Sequence, residues 1–166
     1  MKWVFRSLGV VAALVLVVVT VGFLLPVKHT ASRTASFPVP PEKLWQVLTT
    51  IPEFPSWRKN LQKVEVLPNS DGHTRWRETE TNGDATTFEI VAADAPKKIV
   101  TRIADTDLAF GGSWTYEISP SASGSQLTIT EDGEVYNPIF RFVSRFIMGH
   151  HATIAAYLEN LKTVAR

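Results

Sequence analysis

An uninterrupted apolar run near the N-terminus constrains this chain more than any other feature of its 166 residues. From Leu8 to Leu25 the sequence reads LGVVAALVLVVVTVGFLL, which is 18 residues without a charge. At ~1.5 Å per residue, a helix of this length spans ~27 Å, close to the ~30 Å hydrocarbon core of a bilayer. A helix also satisfies its backbone amides internally, as lipid requires. The run therefore predicts a transmembrane helix from Leu8 to Leu25.

A cleaved signal peptide is the competing interpretation of this run. Signal peptides have an apolar region of ~7–15 residues, followed by a cleavage site of small residues. Here the run is longer, and the residues that follow it, Pro26 to Thr30, contain no such site. We therefore expect residues 1–26 to be an uncleaved anchor and residues 27–166 to form one domain. The positive-inside rule favours a cytoplasmic N-terminus, because Lys2 and Arg6 precede the run.

The rest of the chain has a nearly balanced charge and no cysteine. Only two of the 17 basic residues precede Pro26, so 15 basic and 16 acidic residues follow it. This balance argues against binding of nucleic acid, which depends on an excess of positive charge. The absence of cysteine excludes disulfides, Cys-ligated metals and a thiol nucleophile.

Hydrophobic periodicity predicts an α+β domain. A strand is expected from His29 to Val39, followed by a helix that begins at Pro41 and a second short helical segment. Apolar residues at spacings of three and four from Pro138 to Val164 predict one long amphipathic helix, large enough to cover a sheet. Between these elements, turn residues separate six segments of period two, and the short links favour an antiparallel meander. The six predicted strands are Leu61 to Leu67, His73 to Thr81, Ala85 to Ala93, Lys97 to Ala104, Gly112 to Ser119 and Ser125 to Val135.

Strand alternation predicts which side chains face the long helix. The inward set combines bulky aromatic side chains with two carboxylates, Glu78 and Glu131. Aromatic walls with a few polar groups are typical of a small-molecule cavity, and also of an ordinary core. The predicted cavity residues are Trp57, Trp76, Glu78, Phe88, Trp114, Tyr116, Glu131, Phe146, His150 and Tyr157.

The two inward carboxylates allow two interpretations. Burial raises the pKa of a carboxyl group, so Glu78 and Glu131 are candidates for general acid and base catalysis on a bound carbonyl compound. The structural alternative is that each carboxylate pairs with Arg75, Arg77, Arg102 or a backbone amide near the rim of the sheet.

Trp57 has two interpretations of the same kind, as a lid over the cavity mouth or as plain packing of the second helix. His150 and His151 are adjacent, so on a helix they point about 100° apart and do not share a metal ion. We expect no metal site and no cofactor, because neither a phosphate-binding loop nor a dinucleotide motif is present.

The order of these elements resembles the START-like helix-grip superfamily (SRPBCC), which includes polyketide cyclases, dehydrases and lipid-transport proteins. The resemblance is carried by PVPPEKLWQVLTTIPEFPSW (38–57), WRE (76–78), GGSWTYEI (111–118) and TEDGEVYNPIFRFVSRFIMG (130–149). It implies a curved, antiparallel seven-stranded sheet wrapped around a long C-terminal helix, with two short helices after the first strand and a hydrophobic cavity inside.

The same stretches look like the membrane-anchored bacterial branch of that superfamily. We therefore expect a single-pass protein of the bacterial cytoplasmic membrane, with its domain on the extracytoplasmic side. The expected function is binding or transport of a hydrophobic small molecule or lipid, without catalysis. The alternatives are a cyclase- or dehydrase-like enzyme that uses Glu78 and Glu131, and a regulatory module that binds a protein partner.

Overall fold

The structure is a computed structural model that describes residues 2–149 and 151–166. Its helices are α1 (Lys2–Leu24), α2 (Pro41–Thr49), α3 (Phe54–Trp57), α4 (Pro138–Val143) and α5 (Ala152–Leu161), with a 3₁₀ turn at Ile51–Glu53 and a π-helical turn at Ser144–Met148. Its strands are β1 (Lys28–Phe37), β2 (Leu61–Ser70), β3 (His73–Glu80), β4 (Ala85–Asp94), β5 (Lys98–Ile103), β6 (Phe110–Ser121) and β7 (Gly124–Val135). The predicted α+β class and the order of its elements are confirmed.

The seven strands form one antiparallel sheet in the order β1-β7-β6-β5-β4-β3-β2. Strands β2 to β7 are neighbours in chain order, as the short links predicted, and β1 closes the sheet by pairing with β7. Helices α2 and α5 cover the inner face. Leu44 and Leu48 of α2 and Ile154, Leu158 and Leu161 of α5 are buried there, so the core lies between these two helices and the sheet.

Alternation along β5 determines which of its side chains face the core. Ile99 and Thr101 are buried against the core, whereas Arg102 is on the outer face and exposed. A strand whose alternate residues are branched and apolar buries that set, because period two places them all on one side.

The C-terminal helix is interrupted, contrary to the prediction of one helix from Pro138 to Val164. It begins at Pro138 with Asn137 as N-cap, whose side chain accepts hydrogen bonds from the amides of Ile139 and Phe140. A π-helical turn follows α4, and Gly149 then adopts φ 75° and ψ 142°. Because side chains with a Cβ disfavour positive φ, Gly149 is the residue that lets the chain break here. The two halves therefore do not share one continuous face.

Helix α1 is long and apolar enough to cross a membrane. Its stretch Arg6–Leu24 has a mean hydropathy of 2.7, and only 6% of this window is buried against the rest of the protein. A membrane span and a signal sequence share these properties at an N-terminus. Residues 25–27 alone separate α1 from β1.

Candidate ligand cavity

A cavity of about 430 Å³ lies between the inner face of the sheet and the C-terminal helices. Its volume is within the range of small-molecule sites, ~300–1,000 Å³. Seven of the ten residues that the sequence predicted for the cavity line it: Trp76, Glu78, Phe88, Trp114, Tyr116, Glu131 and Tyr157.

Two of the predicted cavity residues lie elsewhere, and a third is not described. Trp57 is 4% exposed and packs edge-on against Phe54 and Tyr157, so it is a core residue behind the cavity wall. Phe146 is 59% exposed and contacts the ring of Phe142, because the π-helical turn rotates it away from the face that α5 buries. His150 lies outside the described residues.

Aromatic rings form a continuous wall along the inner face of the sheet. Trp76 stacks on Phe88 with ring centroids 5.7 Å apart, and Phe88 meets Trp114 at 5.9 Å. Tyr116 continues the series toward α5, where it contacts Tyr157 at 5.7 Å. Aromatic pairs in these arrangements stabilise the fold by about 0.5–1.5 kcal/mol each beyond their burial. The cavity thus has a rigid apolar wall rather than a loosely packed one.

Glu78 is held in a buried ion pair with Arg58, a residue that strand alternation did not identify. Nη1 of Arg58 donates to Oε1 of Glu78 at 2.6 Å, and Nε1 of Trp76 donates to the same oxygen at 2.9 Å. The guanidinium also lies 5.6 Å from the ring centroid of Phe54 and 5.3 Å from that of Tyr157. Burial is the largest single influence on the pKa of Arg58 and lowers it. Attraction to Glu78, Tyr157 and Tyr116, together with the hydrogen bond to Glu78, outweighs burial and raises the pKa above its ordinary value. Glu78 is therefore paired with a cation that stays charged.

Two of the three arginines that the sequence offered as partners for Glu78 and Glu131 lie beside another carboxylate. Glu89, on the outer face of β4, is only 6% exposed. Nε of Arg102 donates to one of its oxygens, and Nε of Arg75 lies 3.9 Å from the other. The long side chains of Arg75 and Arg102 therefore bury this carboxylate on the outer face.

Tyr116 and Tyr157 place two hydroxyl groups at the inner end of the cavity. The side chains of Thr101 and Tyr157 lie beside the Tyr116 hydroxyl and influence its pKa. Burial, the largest cause, raises the pKa of Tyr116 to about 12 and that of Tyr157 well above its usual value. Both phenols are therefore neutral near pH 7 and available as hydrogen-bond donors or acceptors.

Glu131 contacts the imidazole of His29, which is not among the cavity residues predicted from the sequence. Nε2 of His29 lies 3.4 Å from Oε1 of Glu131, and both side chains are mostly buried. His29 pairs across β1 and β7 with Gly133, where an added Cβ would overlap the imidazole ring. A signal was present, because His29 shares the parity of the inward residues Ala31 and Phe37 along β1.

The arrangement provides two pairs of chemical groups on an otherwise aromatic wall. The Arg58–Glu78 pair is a fixed dipole at one side, and the His29–Glu131 pair brings an imidazole and a carboxylate together at the other. Among residues 2–149 and 151–166, no three His, Asp or Glu side chains gather into a metal-binding group.

The antiparallel sheet, the closing helices and the enclosed cavity define a helix-grip domain of the ligand-binding kind. The chain belongs to the family described as polyketide cyclase / dehydrase and lipid transport, whose pattern matches residues 28–166. This confirms the resemblance seen in the sequence.

Solved structures share the fold at low sequence identity. The di-domain ARO/CYC StfQ from the steffimycin biosynthetic pathway has a TM-score of 0.67 and 13% identity, over 84% of this chain and 51% of that one. This chain therefore spans about half of the di-domain protein. The Zhui aromatase/cyclase from a Streptomyces species has a TM-score of 0.64 and 16% identity, over 83% and 93% of the two chains. A START superfamily protein from Mycobacterium smegmatis has a TM-score of 0.64 and 16% identity, over 82% and 97%.

No curated protein matches the chain. At the identities of the solved structures, the likeness establishes the fold and not the activity.

Proposed function

We propose that this protein is a membrane-tethered binding protein, which holds a hydrophobic small molecule or lipid in its internal cavity. The observation that carries the proposal is the 430 Å³ cavity itself, open inside a domain whose surrounding core is closely packed. An aromatic wall with a few oriented polar groups is the usual composition of a site for an apolar ligand.

The polar groups of the cavity support binding of a ligand that has one polar end. Arg58 and Glu78 neutralise each other, so they cost an apolar ligand less than a lone charge would. The neutral hydroxyls of Tyr116 and Tyr157 orient a carbonyl or hydroxyl group by hydrogen bonding. We infer a largely apolar ligand with a hydrogen-bonding group.

The tether is the second part of the proposal. Residues 1–26 form the anchor and residues 27–166 the binding domain, with the domain on the extracytoplasmic side. An apolar ligand that is scarce in water is concentrated in a bilayer, so a binding domain fixed beside the bilayer meets it more often. The exposed apolar surface of α1 supports this arrangement.

Native mass spectrometry of the full-length protein, extracted from its own membrane in mild detergent, tests the binding proposal. We expect a bound apolar molecule at a ratio of one to one. The variant Ile103→Trp, which fills the cavity, should lose most of this adduct. Val100→Trp is the matched control, because Val100 is on the same strand outside the cavity lining. Wild-type protein without an adduct, or an Ile103→Trp variant that retains it fully, would refute the proposal.

One observation favours a second candidate function, proton transfer on a bound carbonyl compound. An imidazole that contacts a carboxylate in a cavity wall is a common arrangement for a general base. The His29–Glu131 pair has this arrangement, and Oε2 of Glu131 makes no hydrogen bond within the described structure. The regulatory alternative has no such support, because it calls for a packed interior.

Hydrogen–deuterium exchange of phenylacetone in D₂O tests the second candidate. NMR measures the rate at which deuterium replaces the protons on the carbon next to the carbonyl group. A general base predicts exchange above the buffer rate in wild-type protein, which Glu131→Gln abolishes. Glu117→Gln, on the outer face of β6, is the control. Equal exchange rates in Glu131→Gln and wild-type protein would eliminate this candidate.

A further inference from the structure

Four large apolar side chains around the break in the C-terminal helix are exposed. Ile139 and Phe140 on α4 are 46% and 53% exposed, and Phe146 and Ile147 on the π-helical turn are 59% and 72% exposed. We call these four residues the apolar patch. Several large apolar side chains exposed within one short segment are more typical of a contact site than of ordinary surface.

The start of α4 is packed directly against the end of α1. A Cβ at Gly22 would overlap the carbonyl of Pro138, so the two backbones touch where glycine leaves room. Nη1 of Arg141 donates to the carbonyl oxygen of Leu25 at 2.9 Å, and Nη2 donates to that of Tyr136 at 3.1 Å. Arg141 thus satisfies a carbonyl just past the end of α1 and ties α4 to it.

This contact determines the height of the apolar patch relative to a bilayer. Gly22 precedes the last residue of the span, Leu24, by two positions, which is ~3 Å along a helix axis. Pro138, in contact with Gly22, is therefore level with the last turn of the span. The segment that begins at Pro138 therefore starts near the boundary between the acyl chains and the headgroups.

Charge around the patch complements a membrane surface. Between Val135 and Leu158 the sequence contains no Asp or Glu, whereas Arg141 and Arg145 lie among the patch residues. Basic side chains next to a span are attracted to anionic lipid headgroups. A segment with apolar and basic side chains but no acidic ones fits the boundary between headgroups and acyl chains.

The same segment forms part of the cavity wall. Phe140, Ser144 and Gly149 all line the cavity, while Phe146 and Ile147 point away from it. The segment therefore separates the cavity from whatever the apolar patch contacts.

We propose that the apolar patch lies in the interfacial layer of the bilayer that α1 spans, so that this side of the cavity faces lipid rather than water. The inference rests on the proposed function, because it requires α1 to remain as an anchor. It adds a second membrane contact and identifies the part of the cavity wall next to the lipid.

Spin labels on single cysteines test the inference in the full-length chain, since the natural sequence contains no cysteine. The protein is reconstituted in nanodiscs of phosphatidylcholine and phosphatidylglycerol. The labelled variants are Phe146→Cys and Ile147→Cys on the patch, with two references. Val17→Cys reports the span, and Val66→Cys reports an equally exposed apolar position on β2, the sheet edge farthest from β1. The measurement is the ratio of collision rates with oxygen, which prefers lipid, and with a water-soluble nickel chelate.

We expect both patch labels to be between the two references, with an oxygen-to-nickel ratio at least threefold above that at Val66. If the patch labels have the same oxygen-to-nickel ratio as the Val66 label while the Val17 label reports lipid, the inference is overturned and the tether remains. A Val17 label that reports water would overturn the tether and the patch contact together. Dipolar broadening between patch labels with low access to oxygen would show that a second copy covers the patch, and would also overturn the inference.

Discussion

Replacing Arg58 by Met should destabilise the domain strongly, because the substitution leaves Glu78 without its cation. The Arg58 and Glu78 side chains are 14% and 6% exposed, so water can solvate the remaining carboxylate only slightly. After the change, Oε1 of Glu78 retains only the hydrogen bond from Trp76. Removing one partner of a buried ion pair costs about 3–5 kcal/mol in the free energy of unfolding. The contacts of the guanidinium with Phe54 and Tyr157 are lost as well.

The expected cost can be converted to a melting temperature. With an unfolding entropy of about 2.1 cal/mol/K per residue, a domain of roughly 140 residues loses about 10–17 °C in Tm. Calorimetry and urea unfolding followed by tryptophan fluorescence, both on protein in nanodiscs at pH 7, provide two independent measurements.

Two further variants separate the ion pair from general effects of substitution. Lys63→Met breaks an exposed ion pair in which Nζ of Lys63 lies 2.8 Å from Oε1 of Glu65, and it should change stability far less than Arg58→Met does. The double variant Arg58→Met/Glu78→Leu removes both charges and should recover most of the loss. The reasoning is refuted if Arg58→Met costs no more than Lys63→Met, or if the double variant is as unstable as the single one.

Two other predictions concern the opposite sides of the cavity. The pKa of Tyr116 is about 12 in the folded protein and 10 in the unfolded chain, so the folded state holds this proton more tightly. The resulting stabilisation is complete below pH 10 and is lost at about 1.4 kcal/mol per pH unit as the pH rises toward 12. Urea unfolding between pH 9 and 11 should therefore show a shallower pH dependence in Tyr116→Phe than in the wild-type protein, and equal slopes would contradict this. Gly133→Ala should displace the His29 imidazole and cost about 1–3 kcal/mol in unfolding free energy, because the new Cβ overlaps the ring. An unchanged His29 resonance in NMR spectra, together with wild-type stability, would argue against that close approach.

Alternation along single strands predicted the aromatic side chains that the sheet contributes to the cavity, because it depends only on residues next to one another in sequence. Trp76 and Glu78 on β3 share the inner face, and so do Trp114 and Tyr116 on β6. Contacts between distant segments are a different matter. The cation beside Glu78 comes from Arg58, 20 residues earlier and after a short helix, and no local pattern connects the two.

The error at Phe146 has a different physical origin. Apolar residues at spacings of three and four predict a helix of 3.6 residues per turn. This pattern does not reveal a break in the helix where the residues at the break are themselves compatible with a helix. The π-helical turn and the positive φ of Gly149 change the phase of the helix at that point. Phe146 therefore fits the apolar spacing of the predicted helix but faces outward in the structure.

The short link between α1 and β1 limits how far the domain can move from α1. Residues 25–27 extend to about 10 Å at most, at ~3.3–3.6 Å per residue. With α1 as the proposed anchor, a domain on so short a link stays at the surface of its own membrane and does not carry a ligand across an aqueous gap to another. In that arrangement, a molecule released from the cavity diffuses within the same membrane or passes to an acceptor that comes to the same surface.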